Sequence, residues 1–270
     1  MHTMHLSTPH HCRHLNELRQ ATSLADAASH APTLKTGRML YSEGVAWMCK
    51  AVACDLDDPL SADDAALVLD FYRSRGATPC IELTDHSSEE SLAHLAEAGF
   101  SLRKIEHVFS HTLDTLPRPA APAGLTLQRV ESGAVRELAA VMVAGFLPEG
   151  APLPAPMVAA VARTLRHPDA QGFLATVGDV VAGACGMEVA RIPPQTGAAP
   201  VPVAALWGAV VRPAFRRRGV QQAMMAHRLR EAARAGAALA VIESTPGIPT
   251  ARNAARLGFS LSYLRLVLKA

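Results

Sequence analysis

A strand-like run, residues 204–211, leads through Arg212-Pro213 into Arg216-Arg217-Arg218-Gly219-Val220-Gln221, so three cations and a glycine stand where a helix opens. The first turn of a helix already exposes unpaired N–H groups and a positive partial charge. Arginines there are unfavourable unless an anion lies among them. The following stretch, 221–235, is rich in Ala, Leu, Met, Arg and Glu, with Val220, Met224 and Leu229 near helical spacing. Gly219 has no side chain to block a ligand and tolerates the backbone of a tight strand-to-helix turn. Consecutive amides at such a turn wrap a pyrophosphate, and arginine side chains neutralise its outer oxygens. The arginine run alone reads equally well as a solvated surface turn. The strand before it and the helix after it argue for a phosphate site.

The second half carries a consistent order of elements. An alternating strand at 125–130 precedes helical stretches at 131–146 and 156–166. Residues 172–177 and 180–189 flank a Gly178-Asp179 turn and read as a hairpin. A Pro-rich loop at 191–202, the strand before the arginines and their helix follow, then a strand at 238–243, a short helix at 250–256 and a last strand at 261–268.

The loop resembles the acyl-CoA loop of the GNAT superfamily of acyl-CoA-dependent N-acetyltransferases, Q/R-x-x-G-x-G/A after a strand ending V-x-P. The matching residues are Val211-Arg212-Pro213, Phe215 and Arg216 to Gln221. The resemblance implies an α+β protein of the GNAT fold, a mixed, mostly antiparallel sheet flanked by helices. It further implies acetyl-CoA as co-substrate, bound by Arg216, Arg217, Arg218, Gly219, Val220, Gln221 and Gln222, with the Val211 backbone pairing with pantetheine. No metal is implied. Gln221 departs from the pattern, which has Gly or Ala there; its longer side chain either crowds the pyrophosphate or hydrogen-bonds it.

The chain also resembles itself. Residues 77–84 align with 238–245, residues 96–102 with 255–261, and Trp47 with Trp207. This reads as a duplicated GNAT-like architecture. Where the second copy has its arginines the first has Asp55-Leu56-Asp57-Asp58, which repel a pyrophosphate, and Ser61 with Asp64 forms a capping box for a helix from Ala62 toward Arg75. The first copy is therefore expected to be degenerate and structural. The expected organisation is a tail at 1–36, a degenerate GNAT-like unit at 37–113, a Pro-rich linker at 114–124 and the acetyltransferase domain at 125–270.

Composition narrows the class. With 270 residues, 49% of them apolar, the chain can build a sizeable core. No apolar run is long enough to span a bilayer, and residues 1–20 are His-rich and polar where a signal peptide would be apolar. Five scattered cysteines, without a Cys-x-x-Cys pair, suit reduced thiols in a cytoplasmic protein. A net charge of +2 does not describe a general nucleic-acid binder. His2, His5, His10, His11, His14 and Cys12 match no closed zinc site and read as part of a frayed tail.

Chemistry in the superfamily is direct attack of an amine on the thioester carbonyl, helped by positioning and by a backbone N–H on the carbonyl oxygen. The candidate base is Glu243, although Glu82 occupies the matching place in the first copy and points to a shared structural role; Glu188 is the alternative. The family's usual acid, a tyrosine four residues before a terminal G-F pair, is Ala254 here, and the asparagine seven residues earlier is Gly247. Tyr263 is the remaining candidate acid, against the plainer reading of a half-buried strand tyrosine. The expected activity is acetyl transfer to a primary amine of a small molecule or a peptide amino terminus. The expected partners include no nucleic acid and no membrane, and a homodimer is compatible with the sequence. A non-catalytic acyl-CoA sensor is the alternative, and a nucleic-acid module the remaining one.

Overall fold

The computed structural model describes residues 9–193 and 199–270. In chain order the elements are α1 (Pro9–Ala27), β1 (Thr33–Leu34), β2 (Gly37–Leu40), β3 (Lys50–Val52), α2 (Ala62–Arg73), β4 (Cys80–Thr84), α3 (Glu89–Glu97), β5 (Ser101–His111), β6 (Leu125–Arg129), α4 (Val135–Ala144), α5 (Ala155–Leu165), β7 (Ala170–Val177), β8 (Val180–Ile192), β9 (Val201–Val211), α6 (Val220–Arg234), β10 (Leu239–Ser244), α7 (Pro249–Arg256) and β11 (Ser260–Lys269). The expected order over 125–270 is matched element for element.

The chain divides into two compact units, and the division departs from the expected boundaries. The N-terminal unit takes in the described residues through Val108 together with Ser262–Ala270, whereas the C-terminal unit takes in Phe109–Leu261. The Pro-rich linker thus belongs to the C-terminal unit, and the last nine residues complete the N-terminal one. The end of β5 moves the other way: Phe109 lies in the C-terminal core, and the His111 ring packs edge-on against Phe259, with centroids 5.2 Å apart.

In the N-terminal unit β2 pairs antiparallel with β1 and β3, β3 runs parallel to β4, and β11 lies antiparallel to β4 from Arg265↔Thr84 to Lys269↔Cys80. Helices α2 and α3 bury Val68, Phe71, Tyr72 and Leu95 against Ile81, Leu83 and Leu268. The capping box at the start of α2 is present: Ser61 accepts from the Asp64 amide and Asp64 accepts from the Ser61 amide. Residues 9–27, expected as part of a frayed tail, form a helix instead. Leu15, Asn16 and Glu17 are buried, and Ala21 packs with Leu40, Val52 and Leu56. The polar residues of this helix face inward, so their polarity reads falsely as exposure.

In the C-terminal unit β6, β7, β8 and β9 form an antiparallel sheet, and β10 joins β9 in parallel. Helices α6 and α7 cover one face, burying Met224, Leu229, Ala254 and Leu257. Helices α4 and α5 cover the other with Leu138, Met142, Val158 and Leu165, against which Trp207 packs. Trp47, aligned with Trp207 by sequence, lies in a short 3-10 turn before β3 and is exposed, so that part of the internal match has no structural counterpart.

Candidate functional site

The site grows out of a sheet that splits. Register between β9 and β10 runs from Val203↔Leu239 to Leu206↔Ile242 and stops, although β9 continues to Val211 and β10 to Ser244. Beyond Leu206 the edge of β9 is therefore, among the described residues, without a strand partner on its β10 side. The Arg212 amide bonds Ala182 O on β8 at 2.9 Å, so by strand alternation the N–H and C=O of Val211 face the unpaired edge. An extended ligand laid along this edge meets strand-like backbone groups.

The same strand is irregular just where the split begins. Ala184 pairs with Val210 and Gly186 with Trp207, so Gly208 and Ala209 together oppose Cys185 as a bulge. Gly208 sits at φ +61°, a left-handed conformation that glycine adopts without strain. The signal was in the sequence, since an isolated glycine inside a strand pattern marks a bulge or a close backbone approach.

At its C-terminal end β9 delivers the chain to α6. A short turn, Pro213–Phe215, precedes the arginines, and Gly219 caps the helix in the left-handed region with φ +83° and no side-chain cap bond. No acidic residue stands in the first turn. The opening amides of α6 are thus left without a capping side chain beneath three exposed arginines. Arg217 holds φ +63°, unusual for a residue with a side chain. Arg216 Nε donates to Val211 O at 3.2 Å, and the Arg218 guanidinium lies 5.7 Å from the Phe215 ring centroid. A Cβ added to Gly219 would stand 3.2 Å from Ala120 O, so the linker passes close over this turn.

The remaining loop residues point elsewhere. The Val220 side chain is buried in the core, which leaves its backbone as the group available to a ligand. Gln221 neither projects into the open nor blocks the turn: its Nε2 donates to Thr250 Oγ1 at 3.0 Å and its Oε1 accepts from Asn253 Nδ2 at 2.7 Å. Gln222 Nε2 donates to Asn253 Oδ1 at 3.1 Å. Asn253 therefore ties α6 to α7, a role not read from the sequence because its partners lie about thirty positions upstream on another helix.

Candidate bases lie on one face. Glu188 pairs with Ala205, and Ala205 with Val241, so Glu188, Ala205, Val241 and Glu243 share the face that carries Trp207, α4 and α5. Glu243 is half-buried, beyond the last registered pair of β10; Glu188 is buried within β8.

Tyr263, the candidate acid, is held in a buried hydrogen-bond network. It belongs to the N-terminal unit, is 2% exposed, donates its hydroxyl to Glu17 Oε1 at 2.5 Å and accepts from Asn16 Nδ2 at 2.7 Å. Burial, reinforced by Glu17, pushes its pKa well up. A phenol held in this way is a structural residue of that unit. The Pro-rich loop at 191–202 falls partly outside the described residues; its ends form the close of β8 and the start of β9. Among the described residues no group of His, Cys, Asp and Glu is arranged to hold a metal ion, and no helix is long and apolar enough to cross a membrane.

Residues 140–259 match the family described as acetyltransferase (GNAT). Among curated proteins none matches the chain. Similar solved structures include a GCN5-related N-acetyltransferase from Kribbella flavida, 18% identical, covering 94% of this chain and 95% of that one with a TM-score of 0.67. A putative GNAT-family acetyltransferase from Novosphingobium aromaticivorans DSM 12444 is 18% identical over 94% and 96% of the two chains, TM-score 0.55. A tandem GNAT protein from the clavulanic acid biosynthesis pathway is 16% identical over 86% and 77%, TM-score 0.57. At these identities the likeness to solved structures is one of fold.

Proposed function

As the C-terminal unit of this chain belongs to the GNAT acetyltransferases, we propose that the protein transfers an acetyl group from acetyl-CoA to a primary amine by direct attack in a ternary complex. The amine is that of a small molecule or a peptide amino terminus. The observation that carries this reading is the unpaired edge of β9 running into an uncapped, arginine-bearing helix start. One segment thus offers backbone groups for an extended arm and cations for a diphosphate.

Acetyl-CoA, when bound, supplies the thioester carbonyl that the amine attacks. The arginines at 216–218 and the first amides of α6 hold the anionic end. Val211 offers its N–H on the open edge, its carbonyl already accepting from Arg216 Nε, and Asn253 keeps Gln221 drawn toward α7 and away from the turn. As the amine's C–N bond forms and the thioester C–S bond breaks, Glu243 takes the ammonium proton, directly or through water, from the face it shares with Glu188, and CoA leaves as its thiolate to be protonated by solvent. Burial raises the pKa of Cys54 to about 12 and of Cys80 to about 11, and pushes the fully buried Cys185 up as well, so these three thiols are poor nucleophiles. We assign no nucleic-acid or membrane partner, and place the protein in the cytoplasm.

Calorimetry with acetyl-CoA on the wild type and on Arg217→Ala with Arg218→Ala tests the site. Affinity should fall about ten- to a hundred-fold, the range for losing one or two charge-assisted contacts. Unchanged affinity removes the loop from the site. A thiol-release assay across an amine panel tests turnover, and tight binding without thiol release by any amine would make the protein an acyl-CoA sensor.

A further inference from the structure

Arg228 is completely buried about two turns into α6, among Met224, Met225, Leu229 and Cys185. Its Nε donates to Met224 O at 3.2 Å, while one terminal nitrogen donates to both Gly186 O at 2.9 Å and Trp207 O at 3.3 Å. The other terminal nitrogen is buried without a hydrogen-bond partner. A buried guanidinium is among the costliest groups to place in a core, and leucine or methionine would fill this position at lower cost. Its placement calls for a role beyond packing.

Gly186 and Trp207 are directly opposed on β8 and β9, immediately before the bulge. A single nitrogen that reaches both of their carbonyls requires both to point into the gap between the two strands. The Trp207 carbonyl and the Gly208 N–H belong to one planar trans peptide, so they point in opposite directions. Holding the carbonyl toward β8 therefore turns the Gly208 N–H toward the other edge, the one β10 leaves unpaired beyond Leu206. Gly208 at φ +61° then carries the chain on into Ala209. The charged donor on the carbonyl also polarises the same peptide, which makes its N–H a stronger donor.

We propose that Arg228 is a positioning residue for acyl transfer: by clamping the Gly186 and Trp207 carbonyls it fixes the bulge so that the Gly208 N–H is presented to the acyl carbonyl oxygen. This rests on the acetyl-CoA reading above. Arg228 touches no substrate; it acts through the peptide it holds.

Two variants test it, Arg228→Met, which keeps the buried stem without a donor, and Arg228→Lys, which keeps a charged donor on a stem that lacks the Nε bond to Met224 O. In the ligand-free protein, the amide resonances of Gly208 and Ala209 should shift or broaden in Arg228→Met while those of Val203 and Ala204 at the other end of β9 stay in place. A purely packing role would disturb resonances along the whole strand, and that result, or an unmoved Gly208 resonance, overturns the proposal. In calorimetry the wild type should bind acetyl-CoA more tightly than S-ethyl-CoA, which lacks the carbonyl. Arg228→Met should lose that preference by about tenfold yet hold S-ethyl-CoA as the wild type does, with Arg228→Lys between. If the wild type binds both ligands and the variants keep its ratio, Arg228 has no such role and the acetyl-CoA reading stands. If the wild type binds neither ligand, the acetyl-CoA reading falls and this proposal with it.

Discussion

Each unit contains a strand, a helix and a parallel strand in succession, β3-α2-β4 and β9-α6-β10, and the two helix starts are built in opposite ways. At α2 the protein satisfies its own orphan amides: Ser61 and Asp64 bond each other's backbone, and Asp63 and Asp64 add negative charge to the first turn. At α6 there is no capping side chain and no acid, only Gly219 and the arginines. One helix start is finished as a structural joint and the other is left incomplete, and incompleteness at a positive helix end is what an anion requires. The strand beside each helix follows suit. Glu82 on β4 accepts from Lys50 at 2.7 Å and from Gln20 at 2.9 Å, and lies 3.8 Å from Arg265 Nε. Glu243 on β10, which the internal match aligns with Glu82, remains half-buried at the end of its strand. The matched carboxylates thus have different surroundings, and the structural role that Glu82 plainly serves need not extend to Glu243.

The sharpest way to break this comparison is to disturb the N-terminal network. Glu17 is 1% exposed and bonds both Tyr263 and Arg265, each at 2.5 Å, with Arg265 itself fully buried. Glu17→Ala should destabilise the protein by about 3–5 kcal/mol, because it leaves a buried cation with weakened compensation. Denaturant unfolding measures this. If the N-terminal unit is structural, the folded fraction of the variant should keep wild-type affinity for acetyl-CoA; a variant of wild-type stability, or one folded but unable to bind, would contradict the division of labour.

A smaller effect sharpens the contrast between the helix starts. Ser61→Ala with Asp64→Ala removes the capping box and should lower stability by about 1–2 kcal/mol. Opening that helix start should not create a second nucleotide site, because Asp55, Asp57 and Asp58 remain before it. Calorimetry that shows one equivalent of acetyl-CoA in both proteins supports this. A second binding event in the variant would mean that the caps alone had kept the first unit silent.

What could be read from the sequence follows the range of the interactions. The strands and helices of residues 125–270, the Gly178-Asp179 turn, the arginine loop and the Ser61/Asp64 box are local, each encoded by residues within a few positions of one another. The exchange of β11 into the N-terminal unit was not legible, because alternation marks residues 261–268 as a strand without naming β4 as its partner. The surroundings of Tyr263 are not legible for the same reason: its partners Asn16 and Glu17 lie nearly the whole chain away. Helix α1 was misread because Arg13, Asn16, Glu17 and Gln20 are polar yet buried, satisfied by Thr84, Tyr263, Arg265 and Glu82. Arg228 looked like one more helix arginine, since a charged residue reads as solvent-facing unless its carbonyl partners are known.

The smallest expected effect separates charge from strain within the open helix start. Arg217 carries a side chain at φ +63°, where an L-residue is disfavoured by about 1–2 kcal/mol. Arg217→Gly removes that strain, but glycine also loses more backbone entropy on folding, about 0.5–1 kcal/mol, so the net gain should be about 0.5–1 kcal/mol. Arg217→Ala keeps the strained backbone and should gain nothing. Both variants lack the guanidinium, so both should bind acetyl-CoA more weakly and to a similar degree. Thermal unfolding then reads the strain as the difference between the two variants, and calorimetry reads the charge as the loss they share. Equal stability of Gly and Ala variants would show that the turn is not strained. Wild-type affinity in both would show that this arginine, for all its awkward backbone, faces no phosphate.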